Sequence, residues 1–101
     1  VVQGYLREEE VDGWRLDVAF DLGPGYLREL TAAAHAARPG SLVLGEAWNY
    51  PSGWVGDVLD GVLNFTARSL ILGLCRGELT GPQVARHLAR LVEDTGTDGL
   101  L

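Results

Sequence analysis

The spacing of apolar residues predicts the order helix, strand, helix, strand, strand, helix, helix along the chain. Residues 2–6 carry apolar side chains at the i, i+3, i+4 spacing of a helix. Residues 13–20 change to a period of two, which is typical of a strand with two distinct faces. One face of that strand is apolar and is predicted to pack on helices, whereas the other face carries Arg15 and Asp17.

Residues 24–38 are predicted to form an amphipathic helix. Pro24 suits the first helical turn, apolar side chains recur at helical spacing, and a Pro-Gly pair ends the pattern. Residues 41–48 are a short apolar run bounded by turn-forming residues, so we predict a buried strand there. With the strand at 13–20 they form a strand–helix–strand crossover, whose two strands should be parallel.

The second half of the chain predicts one more strand and two more helices. Residues 49–60 are rich in turn formers, with one helical turn expected in their second half. Residues 61–65 predict a third buried strand, and residues 66–74 predict a helix. Thr80 and Gln83 have the spacing of a capping box at the start of the last helix.

The predicted fold class is α/β, because three parallel strands alternate with helices. Purely parallel sheets are covered by helices on both faces, and a chain of 101 residues has too few elements for that. We therefore expect a segment of a larger sheet or barrel, with no internal domain boundary across residues 1–101. The chain alone is expected to be marginally folded and inactive, because its outer strand edges would be unpaired.

Composition excludes several classes of partner. The chain carries 14 acidic and 8 basic side chains, all of the latter Arg, for a net charge of −6. This balance argues against binding to nucleic acid or to anionic membranes. No apolar run approaches the ~18 residues of a membrane span. No signal peptide is visible, and the compartment, cytoplasmic or secreted, stays open.

The cysteine and the histidines do not indicate a metal site. Cys75 is the single cysteine, which excludes an internal disulfide and a cysteine-based zinc site, and we expect it to be buried. His35 and His87 lie on predicted helices, where solvated surface positions are expected. No histidines are paired at metal-ligand spacing, so no metal or cofactor is predicted in this segment.

Asp17 and Glu46 stand out because each lies near the carboxyl end of a predicted strand, the edge where parallel α/β folds bind ligands. Neighbouring strands are ~4.8 Å apart, so the two carboxyls could approach within ~5–6 Å. Retaining glycosidases use that separation. Arg15 would keep Asp17 ionised, whereas apolar neighbours would favour a neutral Glu46. A structural ion pair and a simple strand end are the alternative interpretations.

Three segments match, in order and spacing, the motifs of a known family of enzymes. Residues 12–18 (DGWRLDV) resemble the fourth-strand motif of the alpha-amylase family, glycoside hydrolase family 13. Residues 44–48 (LGEAW) resemble its fifth-strand motif. Residues 60–65 (DGVLNF) resemble the sixth strand of the neopullulanase and cyclomaltodextrinase branch. The resemblance covers essentially the whole chain.

The resemblance implies the middle of a (β/α)8 barrel and a retaining glycosidase acting on α-linked glucans such as starch or maltooligosaccharides. Asp17 would be the nucleophile that forms a covalent glycosyl-enzyme. Glu46 would be the general acid/base, and Arg15 would position and ionise Asp17. Trp48 and Asp21 are candidate substrate-binding residues.

Some of the family's other motifs are expected outside residues 1–101. The strand-three motif, which includes a common calcium-ligand Asn, should lie upstream, so any calcium would belong to the intact enzyme. The strand-seven His-Asp pair should lie downstream. Within the chain, Phe20 and Asp21 stand where the family often has Lys-His or Asn-Glu, a position that bears on aglycone recognition.

Two alternatives to a hydrolase stay open. A transglycosylase of the same family, such as a trehalose synthase or a branching enzyme, would use the same residues with a sugar hydroxyl in place of water. The alternative from another class is a non-catalytic, carbohydrate-binding member of the family.

Overall fold

A computed structural model, which describes residues 1–8 and 10–100, has the predicted order of helix, strand, helix, strand, strand, helix and helix. In chain order the elements are α1 (Val2–Glu8), β1 (Gly13–Leu16), α2 (Pro24–Ala37), β2 (Leu42–Gly45), β3 (Gly61–Val62), α3 (Phe65–Cys75) and α4 (Gly81–Thr95). Short 3-10 turns cover Ala19–Leu22 and Pro51–Gly53. The strands form one parallel sheet in the order β1–β2–β3, which confirms the α/β class.

The register of the sheet separates a buried face from an open one. Trp14 pairs with Val43, and Arg15 pairs with Leu44. Because side chains alternate along a strand, Trp14 and Val43 share one face, and Arg15 and Leu44 share the other. Val43 is fully buried, whereas Leu42, on the Arg15 face, is 54% exposed. The sheet is therefore covered on one face and open on the other.

The shape of the molecule agrees with an open layer. Its radius of gyration is 15.5 Å, above the ~13 Å of a compact domain of about 100 residues. The core lies where α1, α2 and the loop before β3 pack on the covered face of the sheet. Its buried members are Leu6, Ala19, Leu27, Ala34, Val43, Ala47, Val58, Leu59 and Val62.

The first strand is shorter than its period-two pattern predicts. The prediction of a strand through Phe20 is wrong, because Val18 adopts the left-handed conformation, with φ 45° and ψ 45°. That conformation costs a non-glycine residue roughly 1–2 kcal/mol and turns the chain out of the strand. Ala19, which follows, is fully buried, and its N–H donates to the carbonyl of Glu46 at 2.9 Å. Burial and hydrogen bonding thus hold the turn.

The other element ends follow from local capping. The third strand stops at Val62 rather than continuing to residue 65, because Asn64 caps α3 by accepting the N–H of Ala67 at 2.9 Å. The predicted capping box of α4 is confirmed. The Thr80 hydroxyl accepts the N–H of Gln83, and the Gln83 side chain accepts the N–H of Thr80.

Two expectations for surface and buried residues are wrong. Cys75 is exposed, not buried, because it lies in the last turn of α3, a helix that contributes no residue to the core on the covered face of the sheet. His35 is not a free surface side chain, since its Nε2 lies 2.8 Å from Oδ2 of Asp60. The same Asp60 oxygen accepts the N–H of Val43 at 2.8 Å, so this carboxylate ties α2 and β2 to the start of β3.

The segment between β2 and β3 also differs from its prediction. The helical turn expected in the second half of residues 49–60 is absent from that stretch, and the 3-10 turn Pro51–Gly53 lies in the first half. Val55 and Leu59 instead form an isolated bridge, which brings Leu59 into the core. Tertiary packing, rather than local helix formation, fixes this segment.

Gly45 lies where the core leaves no room for a side chain. A Cβ at this position would be 2.5 Å from Cδ1 of Leu59 and 3.1 Å from Cβ of Ala19. We expect Gly45→Ala to lower the free energy of unfolding of the intact protein by about 1–3 kcal/mol, because the core would be overpacked. Thermal unfolding measures this. Gly53→Ala, where a Cβ meets nothing within 4 Å, is the matched control. Equal midpoints for Gly45→Ala and wild type would contradict the packing described here.

Candidate active site

Asp17 and Glu46 directly follow the carboxyl ends of neighbouring strands, as predicted. Asp17 comes after β1, and Glu46 comes after β2. The parallel hydrogen-bond ladder continues past both strand ends. The N–H of Glu46 donates to the carbonyl of Leu16 at 2.9 Å, and the N–H of Ala19 donates to the carbonyl of Glu46 at 2.9 Å. The backbone therefore fixes both carboxylates at one edge of the sheet.

One guanidinium joins the two carboxylates. Arg15 donates from Nη1 to Oδ1 of Asp17 at 2.5 Å and from Nη2 to Oε2 of Glu46 at 2.6 Å. Hydrogen bonds between ionised partners are short and are roughly twice as strong as neutral ones. The side chain of Glu46 is 13% exposed, whereas that of Asp17 is 74% exposed. The structure thus brings together the three residues that the sequence singles out, with one acid enclosed and the other open to solvent.

The neighbouring side chains of Arg15 and Glu46 favour the ionised form of Asp17. The hydrogen bond from Arg15 lowers the pKa of Asp17 below its ordinary value, and the neighbouring Glu46 carboxyl acts in the same direction. Since the pKa of Asp17 is lower in the folded than in the unfolded state, the stabilisation is present above the unfolded value and is lost as pH falls through the folded one. The hydrogen bond to Asp17 likewise raises the pKa of Arg15.

Glu46 does not have the apolar surroundings that the sequence predicts. Its Oε1 accepts a hydrogen bond from the indole Nε1 of Trp48 at 2.7 Å, and its Oε2 accepts from Arg15. Nitrogen donors therefore face both oxygens of this enclosed carboxyl. The sequence places Trp48 near Glu46, but nothing in the pattern shows that the indole turns back to it.

Aromatic rings border the carboxylates on the side of Trp48. The Trp48 ring is 60% exposed, and its centroid lies 5.8 Å from that of Phe20 and 6.3 Å from that of Phe65. The prediction that Phe20 continues the apolar face of β1 is wrong, because the chain leaves the strand at Val18. Sequence reasoning did not single out Phe65, which lies here because α3 begins directly after the short β3. We call Phe20, Trp48 and Phe65 the aromatic border.

Asp21 is not joined to this group. It lies exposed in the 3-10 turn Ala19–Leu22, and its side chain forms no hydrogen bond or ion pair with another residue in the described part of the chain. Tyr50, in contrast, donates its hydroxyl to Oδ2 of Asp94 at 3.0 Å. Burial and that hydrogen bond raise the pKa of Tyr50. The contact ties the segment after Glu46 to α4.

Arg15 binds both carboxylates at this edge of the sheet. Over residues 1–8 and 10–100, no three His, Cys, Asp or Glu side chains form a group that could hold a metal ion.

In the same described residues, no helix has both the length and the apolar character needed to cross a membrane.

The sequence of the chain is similar to curated hydrolases. Neopullulanase 2 of Thermoactinomyces vulgaris is 35% identical over 91 residues, which cover 88% of this chain and 16% of that protein. A cyclomaltodextrinase of Thermoanaerobacter pseudethanolicus is 34% identical over 73 residues, which cover 71% of this chain and 13% of that protein. The chain thus spans less than a fifth of the length of these relatives. No family model matches the chain.

The fold of the chain is similar to solved structures of hydrolases. The ligand-free cyclic alpha-maltosyl-(1→6)-maltose hydrolase from Arthrobacter globiformis superposes with a TM-score of 0.88 at 32% identity, over 97% of this chain and 23% of that one. The type III pullulan hydrolase from Thermococcus kodakarensis superposes with a TM-score of 0.79 at 30% identity, over 94% of this chain and 18% of that one. The three parallel strands and their helices are a partial (β/α)8 barrel, as predicted. The chain belongs to the alpha-amylase family, glycoside hydrolase family 13, and corresponds to part of its barrel.

Proposed function

We propose that the intact protein is a retaining α-glucan glycosidase, in which this chain supplies the nucleophile Asp17, the acid/base Glu46 and the supporting Arg15. The observation that carries the proposal is the single guanidinium bound to two carboxylates at the carboxyl ends of adjacent strands. Relatives named neopullulanase, cyclomaltodextrinase and pullulan hydrolase support α-glucans as the substrate class. We assign no cofactor to this segment, and any calcium would be held elsewhere in the intact enzyme.

In the first step, a carboxylate oxygen of Asp17 attacks the anomeric carbon of the bound sugar. The glycosidic bond between that carbon and the leaving oxygen breaks, and Glu46 gives its proton to the leaving oxygen. The released half of the glucan carries a new hydroxyl group. The other half is esterified to Asp17, and Glu46 is left as a carboxylate.

In the second step, Glu46 takes a proton from water while the water oxygen attacks the anomeric carbon. The ester bond to Asp17 breaks, which restores the Asp17 carboxylate and the Glu46 acid. Two inversions give overall retention. Arg15 keeps Asp17 ionised for the first step and holds Glu46 beside it throughout. A sugar hydroxyl in place of water would convert the same step into glycosyl transfer.

The proposal is tested by the stereochemistry of the product and by trapping the intermediate. Proton NMR of the intact protein acting on a maltooligosaccharide should show the α anomer as the first product. A fluorinated glucosyl fluoride that deglycosylates slowly should label Asp17, as located by peptide mass mapping. A β anomer, or a label on another carboxylate, would overturn the proposal. Binding of maltooligosaccharides without hydrolysis or transfer would instead support a non-catalytic member of the family.

Arg15→Gln is expected to move the acid-side limb of the pH profile of kcat/KM to higher pH. The hydrogen bond from Arg15 lowers the pKa of Asp17, so its loss raises that pKa toward the ordinary value and protonates the nucleophile at milder acidity. Arg28→Gln is the matched control, because it breaks an exposed ion pair with Asp57, in which neither Asp17 nor Glu46 takes part. An unchanged limb in Arg15→Gln would contradict the effect assigned to Arg15.

A further inference from the structure

The two oxygens of Glu46 are bound by donors of different kinds. Oε2 accepts from the guanidinium of Arg15 at 2.6 Å, and Oε1 accepts from the indole of Trp48 at 2.7 Å. Arginine keeps its positive charge throughout the working pH range, so the oxygen bound to it is a poor place for a further proton. The indole N–H is a neutral donor, so its hydrogen bond to the carboxyl is weaker than that of the guanidinium. The transferable proton of Glu46 therefore belongs on Oε1, beside Trp48.

The indole N–H also restricts the direction of that proton. A carboxyl oxygen that carries a proton keeps acceptor capacity on its other side. With the N–H of Trp48 on one side of Oε1, the O–H bond of Glu46 is directed away from the indole. Only Trp48 among the residues of the aromatic border has a hydrogen-bond donor on its ring, and that donor is bound to Glu46.

The aromatic border holds the indole in place. Phe20 lies at 5.8 Å with an interplanar angle of 52°, and Phe65 lies at 6.3 Å with an angle of 57°. Aromatic rings at centroid distances of 4.5–7 Å attract one another by about 0.5–1.5 kcal/mol. Two such neighbours limit the swing of Trp48, although 60% of its surface is exposed.

We propose that Trp48 is a positioning residue for the acid/base. Arg15 leaves Oε1 as the oxygen of Glu46 that carries the proton, and the indole N–H of Trp48 sets which way that proton points at the leaving oxygen. The inference rests on the proposed function, because it assigns Trp48 a role in the proton transfer of that reaction. It differs from a role in stacking on sugar rings, which would need the ring of Trp48 but not its N–H.

Trp48→Phe in the intact protein removes the N–H of this side chain but keeps an aromatic ring. Assays on two substrates then distinguish an effect on proton transfer from an effect on substrate binding. A maltooligosaccharide has a leaving oxygen that needs a proton, whereas the fluoride of α-maltosyl fluoride leaves with little help. We expect Trp48→Phe to lower kcat/KM for the oligosaccharide by about 10- to 100-fold, the effect of losing one hydrogen bond to the charge that develops on Glu46 as it gives up its proton. For the fluoride, the loss should stay under about threefold.

Two other results would overturn the role proposed for Trp48. If Trp48→Phe is close to wild type on both substrates while Trp48→Ala raises KM on both, Trp48 stacks on sugar and the inference is overturned. Equal losses on both substrates would also overturn it. Trp54, which follows the turn Pro51–Gly53 and packs against the core, has an indole N–H that does not contact Glu46. Trp54→Phe is therefore the control and should leave both activities near wild type.

Glu46→Gln distinguishes failure of this inference from failure of the proposed function. Glu46→Gln should also lower kcat/KM more for the oligosaccharide than for the fluoride, and its loss on the oligosaccharide should be larger than that of Trp48→Phe. If Glu46→Gln shows this difference between the substrates and Trp48→Phe does not, only the role of Trp48 is wrong. If Glu46→Gln acts equally on both substrates, the assignment of the acid/base is wrong. Thermal unfolding of each variant confirms that it is folded.

Discussion

Asp17→Asn should lower the turnover of maltooligosaccharides by the intact protein by about 10⁴-fold or more, because an amide cannot form the glycosyl ester. The substitution is nearly isosteric, and the amide oxygen of Asn can still accept the hydrogen bond from Arg15. The side chain of Asp17 is also 74% exposed, so little packing is disturbed. The loss should therefore appear in kcat, with an almost unchanged unfolding midpoint.

The measurement needs a control for the removal of an exposed charge. Asp57→Asn removes a carboxylate whose side chain is 75% exposed and which is bound to Arg28 rather than to Arg15. It should retain nearly full activity. Turnover of Asp17→Asn above about one tenth of wild type would remove the nucleophile role from Asp17.

Glu46→Gln has the second largest expected effect, a loss of about 10²- to 10⁴-fold on maltooligosaccharides, the range attributed to general acid–base catalysis. Both steps suffer, because the amide neither gives a proton to the leaving oxygen nor takes one from water. Azide, an anionic nucleophile that needs no general base, should restore the second step and yield α-maltosyl azide. Assays on maltosyl fluoride with and without azide measure this rescue.

The same substitution has a structural consequence that tests the geometry. Gln offers one acceptor oxygen, whereas the Glu46 carboxylate accepts from both Arg15 and Trp48. One of the two hydrogen bonds is therefore lost, at a cost of roughly 1 kcal/mol. A midpoint unchanged from wild type, together with no rescue by azide, would contradict the arrangement around Glu46.

The sequence predicts which residues lie at the carboxyl edge of the sheet, because the spacing of apolar residues and the residues that end a strand are local features of the sequence. Glu46 follows an apolar run, and Asp17 lies near the end of a period-two strand pattern, so parallel pairing of these two strands is enough to bring both acids to one edge. Arg15 is likewise placed by alternation alone, since it shares a strand face with the edge acids. These positions need no knowledge of distant contacts.

The remaining features depend on contacts that no local pattern encodes. The left-handed turn at Val18 is held by burial of Ala19 and its bond to Glu46, so the period-two pattern runs past the true strand end. The hydrogen bond from Trp48 to Glu46 depends on a rotamer fixed by the aromatic border. The contact between His35 and Asp60 joins residues 25 positions apart.

The backbone bonds that follow the strand ends also bear on how this site can change over evolution. Glu46 bonds to Leu16, and Ala19 bonds back to Glu46, so the two acids are aligned by sheet register. Beyond Ala19, helix α2 and the rest of the connection join them along the chain but do not set that alignment. Insertions or deletions in this connection can therefore accumulate without moving the carboxylates, as long as β1 and β2 keep their pairing. Members of a lineage could thus diverge in the length of this stretch while keeping one and the same chemistry.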